Sequence, residues 1–171
     1  MTDNITALIQ ALDTADLREQ RRVSRSLMAA GRDAVPALTE ALSCRTPRLR
    51  KAAAYLLGTG SGSVEVVRAL ARSVIEDPEP KVRQNAAMSL GKIGTSEEVV
   101  VLARALEQEE VSWVRRSMIL ALGKIGGEAA HALLLGVIPR DEAERETLRH
   151  ALDRALPQRQ RVTWREVDEW R

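Results

Sequence analysis

Aromatic side chains are nearly absent from this sequence. They make up 2% of its 171 residues, and there is no Phe. Nucleobases and flat cofactors are usually held against aromatic rings, so this composition argues against a site for either. The core must instead be built from Leu, Val, Ile and Ala, whose small aliphatic side chains suit closely stacked helices.

Cysteine and histidine are also scarce. The single cysteine, Cys44, excludes an intramolecular disulfide. Its predicted position near the C-terminal end of a helix disfavours a reactive thiolate. The two histidines, His131 and His150, lie 19 residues apart and belong to no metal-binding motif. We therefore predict no metal site, no cofactor and no catalytic residue.

Long apolar runs and a strong net charge are missing as well. No apolar segment approaches the ~18 residues of a membrane span, and the first residues lack the layout of a signal peptide. The 26 Arg and Lys against 24 Asp and Glu give a net charge of +2. This balance permits an anionic partner without requiring one. We expect a soluble cytoplasmic protein with no membrane contact and no small-molecule substrate.

What the sequence does contain is an internal repeat with a period of 32 or 33 residues. The five residues LGKIG occupy positions 90–94 and recur at 122–126, and a shorter match begins at Leu57. An arginine stands seven residues before the leucine of each copy, at Arg50, Arg83 and Arg115. A further copy is predicted at Leu156, with Arg149 as its arginine. Periods of this length are typical of repeat proteins whose unit is a pair of helices.

The hydrophobic pattern predicts ten helices, two to a unit. They cover about residues 4–13, 16–30, 34–44, 47–58, 64–76, 78–92, 97–108, 111–124, 128–138 and 141–157. Two apolar columns predict the buried side of the second helices. The columns are Leu38, Leu70, Leu102 and Leu133, and, four residues on, Leu42, Val74, Leu106 and Val137. The glycines that follow Leu57, Leu90 and Leu122 are expected to let the chain turn between paired helices.

This pattern resembles the HEAT-like repeat family, in particular the short HEAT repeats of the bilin-lyase type. The matching residues are Asp77-Pro78 and Val82-Arg83 with LGKIG at 90–94, and Trp113-Val114-Arg115-Arg116 with LGKIG at 122–126. The resemblance covers about residues 14–157. It implies an all-α fold, a right-handed α-solenoid of about five helix pairs whose second helices line the concave face.

The predicted domain organisation has two parts. Residues 1–157 form one HEAT-like repeat domain, and residues 158–171 form a C-terminal capping segment. That segment departs from the repeat and is predicted to contain a short capping helix. Either Trp164 or Trp170 would cover the exposed core of the last repeat, as the ends of solenoids require. The abrupt charged end of the sequence also favours the N-terminal module of a longer chain.

Four residues are candidates for contacting a partner. Arg68, Arg72 and Arg104 lie between the buried columns of the second helices, so they are predicted to form a basic ridge on the concave face. The alternative is an ordinary solvated helix face, on which acidic neighbours such as Glu40 neutralise the charge. Trp113 opens a first helix, and an exposed Trp is a common binding hot spot. The alternative for Trp113 is packing between repeats.

The column of Arg50, Arg83 and Arg115 has two interpretations. Regularly spaced arginines along a solenoid would suit a row of phosphates. Alternatively, each arginine ties neighbouring units together through carbonyls or through carboxylates such as Asp77 and Glu109. The resemblance to HEAT-like repeats implies the second, structural role.

We predict a non-catalytic scaffold or adaptor that binds a protein partner through its concave helical surface. The alternative is a nucleic-acid-binding HEAT-like module, alone or as the accessory domain of a larger enzyme. HEAT-like DNA glycosylases of the alkylpurine type imply that such a fold can grip a duplex. A bilin-lyase-like role is suggested by the repeat type alone, and the shortage of aromatics and of a reactive cysteine counts against it.

Overall fold

The computed structural model describes residues 2–60 and 62–156, which contain ten α-helices, one 3₁₀ turn and no strand. The helices are α1 (Thr2–Ala11), α2 (Leu17–Ala30), α3 (Val35–Ala41), α4 (Pro47–Leu57), α5 (Val64–Glu76), α6 (Pro80–Ile93), α7 (Glu98–Gln108), α8 (Ser112–Ile125), α9 (Gly127–Leu135) and α10 (Glu142–Ala155). The 3₁₀ turn, Gly31–Ala34, joins α2 to α3. The all-α prediction is confirmed.

Local side-chain chemistry decides where the helices begin. Asp16 precedes α2, and its carboxylate accepts a hydrogen bond from the backbone N–H of Arg18 at 2.8 Å. Helix α6 begins at Pro80, two residues later than the sequence pattern predicted. The carboxylate of Asp77, the predicted cap of α6, instead accepts hydrogen bonds from Arg50 of the preceding unit.

Packing between the helices defines two layers. One layer contains α2, α4, α6, α8 and α10, which we call the first helices, and each contacts the next in this series. The other contains α1, α3, α5, α7 and α9, the second helices, and each packs against the first helix that follows it. Helix pairs stacked in this way form a solenoid, as the repeat predicted.

Glycine and alanine bring neighbouring first helices close together. A Cβ atom at Gly91 of α6 would lie 2.7 Å from the Cα of Ala121 in α8, and one at Gly123 of α8 would lie 2.7 Å from the Cα of Ala151 in α10. Both glycines are helical residues at a helix crossing, so the prediction that they form turns is wrong. After α8 the chain turns at Gly126, whose φ of 69° favours glycine.

The spacing of the two layers sets the curvature of the stack. From α4 to α10, neighbouring first helices approach each other more closely than neighbouring second helices do. A stack that is tighter on one side curves toward that side, because its units span less distance there. The first helices therefore line the inner face. The expectation that the second helices line the concave face is wrong for this part of the chain.

The core is a continuous series of aliphatic side chains. Leu57, Leu90 and Leu122 are buried equivalents in successive first helices, as predicted. The predicted columns of the second helices are buried as far as α7, but in α9 Leu133 is exposed and Leu134 is fully buried. One residue links α8 to α9, whereas four link α6 to α7. The shorter link shifts the register of α9 by one residue.

The last unit also departs from the predicted register. Ala151 of α10 packs on α8 as Ala121 of α8 packs on α6, which places the last copy four residues earlier than expected. The prediction of Leu156 with Arg149 is therefore wrong, since α10 ends before Leu156 and Arg149 is exposed. The predicted capping segment, residues 158–171 with Trp164 and Trp170, lies outside the described residues.

Candidate functional site

The arginine column forms buried ion pairs between units. Nε and Nη2 of Arg50 donate to the carboxylate of Asp77 at 2.7 and 2.9 Å, and Arg83 binds Glu109 in the same way at 2.7 and 2.9 Å. These hydrogen bonds raise the pKa of both guanidinium groups above the ordinary value. Burial raises the pKa of Glu109, but hydrogen bonds from Arg83 and from the N–H of Val111 outweigh it and hold that pKa below its usual range.

Arg115 continues the column with a partner that the sequence pattern did not indicate. Its Nε donates to Oε1 of Glu144 at 2.6 Å, and its Nη1 donates to the carbonyl of Leu106 at 2.6 Å. Glu144 is 1% exposed, and its other oxygen accepts the backbone N–H of Arg140 at 2.7 Å. The structural role of the arginine column is confirmed. Because each guanidinium is held by a buried carboxylate, the column does not form a row for phosphates.

The predicted ridge of Arg68, Arg72 and Arg104 lies on the second helices. Arg68 and Arg72 stand one turn apart on α5, Arg104 stands on the neighbouring α7, and all three are exposed. Arg72 lines a groove of about 470 Å³ between α3 and α5. The acidic side chains in the same groove are Glu40, Glu65 and Glu76. The charge around Arg72 is therefore mixed, which weakens the ridge as an anion site.

Trp113 lies in the other layer, at the start of α8. Part of its ring packs against the core, and Nζ of Lys81 from α6 lies 4.8 Å from the ring centroid. The four predicted contact residues therefore do not form one site. The three arginines face one side of the solenoid, and Trp113 belongs to the first-helix side, where it also packs between units.

The first helices carry a charge pattern that the whole-chain composition conceals. Helices α4, α6 and α8 contain no Asp or Glu, although each contains Arg and Lys. Apart from the buried arginine column, their exposed or half-buried cations are Arg48, Lys51, Lys81, Lys92, Arg116 and Lys124. None of these forms an ion pair with a residue that the structure describes. The inner face is therefore basic in a chain that is nearly neutral overall.

Large apolar side chains run across this face at one position of the repeat. We call them the apolar column: Met28 in α2, Tyr55 in α4, Met88 in α6 and Leu120 in α8. Their exposed fractions lie between 39% and 50%. Met28 and Tyr55 line one groove of about 430 Å³. Four exposed apolar side chains in four consecutive helices form a contiguous strip, whereas isolated exposed apolar residues are ordinary.

Cations flank the apolar column on both sides. Lys51 and Arg116 lie four residues before the column residue of their helices, and Lys92 and Lys124 lie four residues after it. Residues four apart on a helix share one face, so these cations form a row along each edge of the column. Nζ of Lys92 lies 5.3 Å from the ring centroid of Tyr55 on the neighbouring helix. Rows and column thus meet across units.

The residues considered for metal or thiol chemistry are dispersed. Cys44 is half-buried, and its Sγ lies 3.4 Å from the carbonyl oxygen of Thr46. His131 is half-buried on α9 and His150 is exposed on α10. Within residues 2–60 and 62–156, no three His, Cys, Asp or Glu side chains are grouped to hold a metal ion. No helix in that part is long and apolar enough to cross a bilayer.

The stacked helix pairs and the exposed basic and apolar inner face define a repeat protein of the α-solenoid class. The chain belongs to the HEAT repeat family, whose model matches residues 67–156. A comparison with curated protein sequences finds no match.

Three solved structures share the fold. One is a chain in the complex of CpcE and CpcF of phycocyanin lyase from Nostoc sp. PCC7120, with a TM-score of 0.76 and 18% identity over 88% of this chain and 99% of that one. Human deoxyhypusine hydroxylase in complex with glycerol has a TM-score of 0.63 and 22% identity over 91% of this chain and 63% of that one. An engineered protein has a TM-score of 0.55 and 21% identity over 88% and 78%.

These structures correct one prediction. Two of them are of proteins named as a lyase and a hydroxylase, so the same fold occurs in enzymes. The prediction that this chain is not an enzyme is therefore wrong, because it assumed that stacked helix pairs offer no catalytic site. The identities of 18% and 22% show a shared fold alone.

Proposed function

We propose that the chain is a protein-binding module whose partner lies along the inner, first-helix face. The observation that carries this proposal is the apolar column of Met28, Tyr55, Met88 and Leu120, which runs exposed across four consecutive helices. Contiguous apolar strips with a polar rim mark protein-binding surfaces. Methionine and tyrosine are enriched at such surfaces, since Met adapts its shape and Tyr combines an apolar ring with a polar tip.

Two further observations support a protein partner. The rigid ion pairs between units hold the inner face in one shape, so its side chains are preorganised for a partner. Half-buried Trp113 extends the face beside the column. The similar structure from Nostoc is a complex of two proteins, which is consistent with binding of this kind. A nucleic-acid partner is less well supported, because the column offers a single aromatic ring for stacking bases.

Affinity capture with matched variants tests the proposal. The full chain is used as bait in native lysate, with and without nuclease. We expect a protein partner that survives nuclease and is lost when Met88 and Leu120 are both replaced by Ser. The control replaces Val100 and Leu135, which are exposed at 69% and 65% on the second helices, by Ser. Equal retention by both double variants, or loss of the partner on nuclease treatment, would overturn the proposal.

A further inference from the structure

We infer that the partner segment is an acidic amphipathic α-helix that lies across the first helices. Its apolar stripe would rest on the apolar column, and its carboxylates would meet the cations on both edges. This inference rests on the proposed function and adds the chemistry of the partner. It is drawn from the combination of an apolar strip with two basic rows on a face without acidic residues in α4, α6 and α8.

Charge complementarity is the first argument. Lys51 and Arg116 on one edge, and Lys92 and Lys124 on the other, form no ion pair with any described carboxylate. Like charges held on one face repel one another, and an acidic partner would relieve that repulsion. The groove on the second-helix side contains three glutamates beside Arg72, so the same partner would be repelled there. The charge pattern therefore favours one side.

The geometry of the strip is the second argument. Packed helices stand about 8–10 Å apart, so four consecutive first helices space the column over roughly 25–30 Å. An α-helix of roughly 20 residues covers that length, at about 1.5 Å per residue. An amphipathic helix has one apolar stripe with polar side chains on both flanks. This arrangement matches the apolar column and its two basic rows, and laying such a helix in a groove is a common mode of recognition.

Two other anionic surfaces fit this face less well. A nucleic-acid backbone would place phosphates against the exposed Met and Leu side chains of the column, which offer them no donor. A bilayer with acidic lipids is broad and nearly flat, whereas the first helices line the inside of the curve. An elongated segment enters a concave surface without that mismatch. The observations therefore favour a helix over a duplex or a membrane.

A defined peptide tests the inference on the full chain. The probe is a fluorescently labelled 20-residue helical peptide, a length of about 30 Å, with a Leu stripe flanked by Glu. One control peptide has the same composition in an order that breaks the stripe, and the other has Lys in place of Glu. We expect fluorescence anisotropy to show that the Glu peptide binds at least tenfold more tightly than either control, and that binding weakens as salt rises. Equal binding of the three peptides would overturn the inference.

Charge-neutral variants test the contact residues. Replacing Lys51, Lys92, Arg116 and Lys124 by Gln should weaken binding of the Glu peptide at least tenfold. Replacing Arg68 and Arg104 of the second helices by Gln is the control and should leave binding within twofold. Tighter binding of a labelled DNA duplex or of phosphatidylserine vesicles than of the Glu peptide would overturn the inference in favour of those partners.

The two proposals fail in different ways. If the Met88 and Leu120 double variant loses the captured protein but the Glu peptide does not bind, the protein-binding surface stands and the acidic helix is wrong. If neither the captured protein nor the peptide depends on the inner face, both proposals are wrong.

Discussion

Replacing Gly91 by Ala tests the close packing on which the inner face depends. The added Cβ would lie 2.7 Å from the Cα of Ala121 and 2.9 Å from its Cβ. Ordinary van der Waals contact begins at 3.4 Å, so α6 and α8 would have to separate by 3.4 minus 2.7, or 0.7 Å. Overpacking of this kind costs about 3 kcal/mol. The better helix propensity of Ala returns about 1 kcal/mol. We expect a net loss of about 2 kcal/mol.

Urea denaturation followed by far-UV circular dichroism measures this loss. The same substitution at Gly136 is the matched control, because a Cβ there meets its nearest atom at an ordinary 3.5 Å and the backbone is helical. We expect Gly136→Ala to be neutral or to stabilise by up to about 1 kcal/mol. If Gly91→Ala proved as stable as the wild-type chain, the first helices would not pack as described, and the assignment of the inner face would fail with them.

Three further predictions concern stability. Arg115→Met leaves Glu144 buried without its cation, so the free energy of unfolding should fall by about 3–5 kcal/mol in urea titrations; a loss below about 1 kcal/mol would contradict the buried tie. The folded pKa of Glu109 is depressed, so its stabilisation is complete above the ordinary carboxyl pKa of about 4.3 and is lost as pH falls through the folded value. Thermal denaturation between pH 6 and pH 2 should therefore show a shallower acid limb for Glu109→Gln than for wild type (roughly one carboxyl's worth); identical limbs would exclude that role. Leu134→Ala should cost about 2–5 kcal/mol and Leu133→Ala below about 1 kcal/mol; the reverse order would restore the register predicted from sequence.

Much of the fold could be predicted from the sequence because the repeat is long and regular. The period identified paired helices, and the leucine in each LGKIG segment is buried as expected. Asp77 and Glu109 were already candidates for tying the arginine column together. Their spacing from the arginines is 27 and 26 residues, whereas Glu144 follows Arg115 by 29. A partner that departs from the period gives no local signal.

The remaining features depend on how neighbouring helices meet. A glycine such as Gly91 has the same sequence signature in a turn and at a helix crossing, and only the position of α8 distinguishes the two. Met88 and Leu120 look like core residues in sequence, since the burial of a helix face depends on what packs against it. Their recurrence at the repeat period, two residues before each buried leucine, was a usable signal. The predicted ridge of second-helix arginines overlooked the acidic groove around Arg72.

Site-specific photo-cross-linking tests most directly whether a protein partner binds the inner face. A photoreactive amino acid is placed in the full chain at Met88 on the inner face or at Val100 on a second helix, and each variant is irradiated in native lysate. The account predicts a discrete protein adduct from Met88 that persists after nuclease treatment and is absent from Val100. An adduct from Val100 alone, or a nuclease-sensitive adduct from Met88, would contradict it.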